Sequence, residues 1–213
     1  MPPAEDNGLR RGRTWRGLLC GVALAVVVTA SMPPPSMASP SSGGVSPVAD
    51  TAPTPTASFT SEAHGYTVTM PAGWVALPRR GAEDLADVRF RHETPTLVGF
   101  YQVYEGSVTD RADKWYENAR TRYESAAAAM KQIERLTFSD LETAPMGGEK
   151  AYSFGFVTEF KQGPPVATRI IFTPRRVGER IDIHEIVLTG STTALAEGAT
   201  AVDALLGAVR FKK

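Results

Sequence analysis

The stretch Tyr-Thr-Val-Thr-Met-Pro-Ala-Gly-Trp, residues 66–74, decides how this chain can fold. Apolar side chains recur at every second position from Tyr66, so one side of a predicted strand is apolar and the other carries threonine. Pro71 and Gly73 suit the second and fourth positions of a type I turn, which returns the chain to the same apolar layer at Trp74. The stretch therefore predicts an opening strand that the rest of the domain must cover.

More strands follow, joined by turn signals rich in glycine and proline. Alternation of apolar and polar residues predicts strands at 88–91, 96–104, 137–144, 150–160, 168–175 and 180–189. The last four are separated by short turns, which favours three successive hairpins and an antiparallel meander. The pattern therefore indicates the α+β class.

Two amphipathic helices accompany the strands. Apolar residues recur at steps of three or four over 112–133 and again over 195–209. The candidate N-cap residues are Thr109 or Asp110 for the first helix and Ser191 or Thr192 for the second. Each helix is predicted to pack one face on the sheet and leave the other in water.

The first 57 residues differ in composition from the rest of the chain. Four arginines precede the apolar run 18–30, so residues 1–30 are predicted to be a signal peptide, cut after Ala30 or after Ala38. The run is shorter than the roughly 20 residues of a membrane span, which favours cleavage. Residues 31–57 are rich in proline, serine, alanine and threonine and are predicted to be a disordered linker. The predicted domain spans residues 58–213.

The predicted signal peptide indicates that the protein is exported and is secreted, periplasmic or associated with the cell envelope. A twin-arginine route is less favoured, because Arg10 and Arg11 lack the apolar pair expected close behind them. A lipoprotein is also less favoured, because Leu19 stands where a small residue should precede Cys20. An uncleaved signal would leave the chain tethered to the membrane.

Charge and cysteine content exclude several classes of protein. The chain has 23 basic and 23 acidic residues, so it lacks the concentrated positive charge that nucleic-acid binding needs. Its one cysteine, Cys20, lies in the predicted signal peptide, so the predicted domain has neither a disulfide nor a cysteine metal site. His64, His92 and His184 do not follow a metal-ligand spacing. We therefore predict no metal and no cofactor.

Acidic residues at Glu83, Asp84 and Asp87 are the nearest approach to a calcium site, and a solvated loop is the preferred interpretation. Asp182 and His184 lie two apart on a predicted strand and so share a face, with Ser153 as the one suggestive hydroxyl. No Gly-x-Ser-x-Gly turn accompanies them. We predict no catalytic residue, with a cryptic hydrolase kept as an alternative.

Five side chains are candidate partner contacts. Arg175, Arg176 and Arg180 surround the last hairpin turn, where they would touch an acidic partner or anionic lipid, or protect the sheet edge. Trp115 and Tyr116 are adjacent on the first helix and diverge by about 100°, so one of them is expected to stay partly exposed.

The motifs "YTVTMPAGW", "EKAYSFGFVTEF" and "AVRF", in this order, resemble the PsbP-like family over about residues 58–213. The resemblance implies an antiparallel sheet with helices on both faces, an α/β/α sandwich. It also implies a non-enzymatic, protein-binding or assembly role outside the cytoplasm, and we expect a monomer with an envelope protein or complex as its partner. The first alternative is a carrier of a small apolar ligand or lipid, which needs a void that Trp74, Phe154 and Phe156 leave unfilled.

Overall fold

A computed structural model describes residues 57–78, 86–105 and 111–212. Its strands are β1 (Ser58–Ser61), β2 (Tyr66–Thr69), β3 (Trp74–Leu77), β4 (Val88–His92), β5 (Leu97–Glu105), β6 (Ile133–Phe138), β7 (Glu142–Met146), β8 (Glu149–Phe160), β9 (Val166–Val177), β10 (Arg180–Gly190) and β11 (Val209–Phe211). Its helices are α1 (Ala112–Ala128), α2 (Thr192–Glu197) and α3 (Ala199–Gly207). The predictions outside the described residues concern the signal peptide, the linker up to residue 56, the caps Thr109 and Asp110, and the acidic residues Glu83 and Asp84.

The strands form two antiparallel sheets. The small sheet has the order β1-β2-β11. The large sheet has the order β3-β4-β5-β10-β9-β8-β6, and β7 also pairs with β8. Strands β8, β9 and β10 follow one another as hairpins. The predicted α+β class and antiparallel meander are therefore confirmed.

The turn before Trp74 lies one residue later than predicted. The Trp74 N–H donates to the Pro71 carbonyl at 3.1 Å, so Gly73 takes the third position of the turn, with φ of 84°. A type II turn needs a positive φ at this position, which glycine adopts without strain. A Cβ here would also lie 2.6 Å from Nε2 of His92. The turn therefore requires glycine for two separate reasons.

The predicted strand 137–144 is wrong, because the structure has two strands, β6 and β7, with a break between them. Ser139 lies at the break. Its N–H donates to the Gly155 carbonyl at 2.9 Å, and its hydroxyl oxygen accepts from the Gly155 N–H at 2.8 Å. The side chain thus replaces one bond of the β-ladder and lets the chain leave the sheet edge and return.

Both predicted helices end earlier than the apolar spacing suggested. Helix α1 ends at Ala128, and Ile133 begins β6 instead of completing the helical stripe. The last helix is divided into α2 and α3 at Gly198, and Val209 lies in β11. The predicted cap at Ser191 is confirmed, since its hydroxyl oxygen accepts from the Ala194 N–H at 3.0 Å.

Different elements contact the side chains on the two faces of the large sheet. On one face, aromatic rings of α1 lie on the phenylalanines of β8 and β9, with the closest pair, Trp115 and Phe172, stacked at 4.0 Å. On the other face, Tyr66 of the small sheet stacks on Tyr101 of β5 at 4.4 Å. The main apolar cluster surrounds this second contact and includes side chains of α2 and α3. Among the described helices, none is long and apolar enough to cross a membrane.

Candidate functional site

Strand β10 carries three buried ionisable residues, Asp182, His184 and Glu185, which are at most 2% exposed. The strand lies between β5 and β9 and is covered on both faces, which explains the burial. Since side chains alternate along a strand, Asp182 and His184 share one face, as the sequence predicted, and Glu185 points to the other. The two faces therefore hold separate polar clusters.

Asp182 contacts two side chains from different elements. Its Oδ1 lies 2.7 Å from Nε of Arg180, and its Oδ2 lies 3.3 Å from Nδ1 of His64. His64 belongs to the turn that joins β1 and β2. The carboxylate therefore links the small sheet to the β9–β10 hairpin.

His184 lies two residues after Asp182 on the same strand but has a different hydrogen-bond partner. Its Nδ1 and the Tyr101 hydroxyl are 2.8 Å apart, and the rings of Tyr66 and Phe211 meet it edge to face at 5.7 and 5.0 Å. Its Nε2 is buried and has no hydrogen-bond partner. Burial lowers the pKa of His184 to about 4, with a further lowering from the charge of Arg175. The imidazole is therefore neutral near pH 7.

The hydrolase alternative needs Asp182, His184 and Ser153 in one hydrogen-bonded series. The structure brings Asp182 and His184 to the same face, but it places neither within hydrogen-bond distance of the other. The Ser153 hydroxyl accepts from Nε of Arg169 at 3.0 Å. Each of the three side chains thus has a separate partner among the described residues.

Because the buried His184 imidazole is neutral, we expect the folded protein to lose stability at acid pH. A histidine whose folded pKa lies below its unfolded value of about 6.5 resists protonation in the folded state, so stability is lost as pH falls from about 6.5 to 4. For a pKa of about 4, the loss is on the order of 3 kcal/mol. We expect the His184→Gln variant to lose much less stability over this range, as measured by urea unfolding at each pH. An equal loss in both proteins would contradict the assignment.

Glu185 forms the second polar cluster, beneath α1. The Tyr104 hydroxyl donates to its Oε2 at 2.5 Å, and Gln102 also hydrogen bonds to it. Burial raises the pKa of Glu185, although the two hydrogen bonds and the charge of Arg122 act in the opposite direction. Burial likewise raises the pKa of Tyr104 and of Tyr123. The cluster thus places Glu185, Gln102 and the hydroxyls of Tyr104 and Tyr123 between the helix and the sheet, where burial disfavours charge on the carboxyl and on both phenols.

Sequence reasoning missed Glu185. The signal was present in residues 181–188. Two isoleucines precede Glu185, at positions 181 and 183, and the apolar run Ile-Val-Leu follows it directly. A charged residue in a strand whose both faces are apolar needs a buried partner. The partners come from β5, about 80 residues earlier in the chain, and local spacing cannot identify them.

The hairpin arginines have different surroundings. Arg175 lies over the Phe211 ring at 4.4 Å and pairs with Glu149 at 3.2 Å, while Arg180 pairs with Asp182. Arg176 is exposed. Arg175 and Arg180 thus each lie beside a carboxylate of this chain.

Trp115 and Tyr116 are both half-buried. Trp115 stacks on Phe172, and its Nε1 is buried without a hydrogen-bond partner. Tyr116 meets Phe154 edge to face at 5.0 Å, and its hydroxyl donates to the Ser139 carbonyl at 2.8 Å. Each ring rests on the sheet with part of its surface in solvent.

In the part of the chain that the structure describes, no group of three or more histidine, cysteine, aspartate or glutamate side chains is placed to hold a metal.

No family model matches this sequence, and no curated protein sequence matches it. Solved structures do match. The solution structure of cyanobacterial PsbP (CyanoP) from Synechocystis sp. PCC 6803 has a TM-score of 0.54 and 14% identity, covering 81% of this chain and 98% of that one. The crystal structure of LpqN, involved in cell envelope biogenesis of Mycobacterium tuberculosis, has a TM-score of 0.47 and 13% identity, covering 76% and 87%. The resemblance to PsbP is therefore confirmed at the level of the fold.

Proposed function

We propose that this chain is an exported, non-enzymatic accessory protein that binds another protein in the cell envelope. The PsbP-like fold supports this class of protein, although a fold by itself assigns no function. Export rests on the predicted signal peptide at residues 1–30. The binding role rests on a surface of the described domain.

The fold proposed with this function is the complete α/β/α sandwich. Its support is the contrast between neighbouring positions of β9. Phe172 contacts Trp115 of α1, whereas Ile171 belongs to the apolar cluster that includes Leu205 and Leu206 of α3. Because adjacent strand residues point to opposite faces, the helices divide between the two faces.

The binding surface consists of Trp115, Tyr116, Tyr152 and Arg176, and we call it the aromatic–arginine surface. Phe172 lies beneath it. The Trp115 ring stacks on Phe172 at 4.0 Å, and the Tyr152 ring stacks on Phe172 at 5.6 Å. Both outer rings are half-buried, so each keeps an exposed part. Phe172 thus contacts both large rings.

Arg176 extends this surface toward the hairpin turn. It lies four residues after Phe172 on β9, and residues an even number apart on a strand share a face. Tryptophan, tyrosine and arginine are the residue types most enriched at the energetic centres of protein interfaces. Rings already held by packing also lose little side-chain freedom on binding. The stacked pair on Phe172 is the observation that carries the proposal.

A photo-crosslinking residue placed at Arg176 in the full chain, expressed in the source organism, tests the proposal. The matched control is Val75, which is 43% exposed on the edge strand β3, with β4, β5 and β10 between it and β9. We expect position 176, and not position 75, to give an adduct with one envelope protein in mass spectrometry. The absence of an adduct at 176, or the same adducts at both positions, would overturn the proposal.

A further inference from the structure

A cleft of about 430 Å³ opens beside β8, at the gap between β6 and β7. Small-molecule sites in proteins occupy about 300–1,000 Å³ and are mostly apolar with a few polar groups. Val157, Ala167 and Leu195 contribute apolar side chains to this cleft. Gly155 also lines it and has no side chain to fill the space. The cleft thus has the size and lining of a site for a small molecule.

Arg169 is the cation of this cleft. Its Nε donates to the hydroxyl of Ser153, a side chain that is itself only 3% exposed, at 3.0 Å. In the described ranges no carboxylate lies within ion-pair distance of its guanidinium. The group has five N–H donors, and Ser153 accepts from one of them. The buried hydroxyl therefore fixes the guanidinium while its remaining donors stay available to an anion.

Glu142 is the anion of the same cleft. It lies on β7 directly opposite Ser153, whereas Arg169 lies on β9 opposite Gly155. Strand β8 separates the two charged residues, so their backbones are about 10 Å apart across the sheet. Neither side chain has an ion-pair partner in the described part of the chain. One cleft therefore holds a separated positive and negative charge above an apolar lining.

We propose that this cleft binds an apolar α-amino acid. The ligand carboxylate pairs with Arg169, whose planar fork suits a carboxylate. The ligand ammonium pairs with Glu142, and the apolar side chain contacts Leu195 and Val157. A simple carboxylate would satisfy Arg169 but would place its charge near Glu142, and a simple amine would leave Arg169 unpaired. A zwitterion matches both charges, and this role is separate from the binding of a protein partner.

Titration of the full chain with L-leucine, followed by amide NMR shifts, tests this inference. N-acetyl-L-leucine lacks the ammonium charge, and isoamylamine lacks the carboxylate. We expect saturable shifts in residues 153–157 and 167–169 with leucine, and binding at least about tenfold weaker for either analogue. No saturable shift with leucine, or analogues that bind as tightly as leucine, would overturn the inference.

Three variants assign the contacts. Arg169→Gln is expected to weaken leucine binding about tenfold or more, and Glu142→Gln to weaken leucine but not N-acetyl-leucine. Arg135→Gln is the matched control, because Arg135 pairs with Glu159 and does not line the cleft. If circular dichroism shows that Arg169→Gln is unfolded, Arg169→Lys decides, since it keeps the charge without the planar fork and should bind leucine measurably more weakly. Equal binding by the wild type and the decisive Arg169 variant would contradict the site.

Discussion

Replacing Trp74 with alanine is expected to lower the free energy of unfolding by about 3–5 kcal/mol, the usual cost of truncating a buried large aromatic residue. The indole is 5% exposed and meets Phe90 edge to face at 5.3 Å. Its Nε1 also donates to the Ala201 carbonyl at 3.0 Å, which joins β3 to α3. Thermal unfolding should show a melting temperature lower by about 10 °C.

The neighbouring Val75 is the control for Trp74. It lies on the same strand but is 43% exposed, so Val75→Ala should change the free energy of unfolding by less than about 0.5 kcal/mol. Similar losses in the two variants would show that the edge strand itself, and not the buried indole, accounts for the effect. The comparison therefore separates packing from strand formation.

Replacing Glu185 with glutamine is expected to change how stability depends on pH. Because burial raises the pKa of Glu185, the folded state keeps its proton at pH values where the unfolded state, with a pKa of about 4.3, has lost it. The stabilising contribution of the neutral acid is therefore complete below about pH 4.3 and is lost as pH rises toward the folded pKa. Glutamine stays neutral and shows no such loss.

The measurement is the difference in free energy of unfolding between Glu185→Gln and wild type at a series of pH values. Groups common to both proteins, including His184, cancel in this difference. It should move in favour of glutamine as pH rises above about 4.3, with a limiting slope of about 1.4 kcal/mol per pH unit. Glu197→Gln, at an exposed position of α2, is the control for replacing a glutamate outside the buried cluster. A flat difference for Glu185→Gln would contradict a raised pKa.

The strands were predictable because their signal is local. In β8 the large rings of Tyr152, Phe154 and Phe156 alternate with smaller residues, and the structure places all three rings in contact with other aromatic rings on one face. The cap at Ser191 is local in the same sense, since its partner Ala194 is three residues away. Where a pattern and its cause lie within a few residues, sequence reasoning succeeded.

Features that depend on distant residues were not predictable. The helical spacing of the first predicted helix continued to Ile133, but Ile133 pairs with β8 and lies in a strand. The spacing of the last predicted helix continued through Gly198, but Gly198 is the junction of α2 and α3. The hairpin arginines formed a basic group in sequence, yet Arg175 and Arg180 pair with Glu149 and Asp182. Arg169 and Glu142 share a cleft only because β8 lies between their strands. In each case tertiary pairing overrides the local pattern.

The small sheet sets the order in which the domain can complete its folding. Val68 of β2 pairs with Phe59 of β1 on one side and with Val209 of β11 on the other. Strand β1 directly precedes β2 in the chain, whereas β11 is the last strand of the domain. The β1–β2 hairpin closes a short loop, whereas pairing with β11 closes a loop of about 140 residues, which costs more entropy and is slower. Until β11 arrives, one edge of β2 stays open to a chaperone or to a second nascent copy. We expect this interval to be the most aggregation-prone stage of biogenesis.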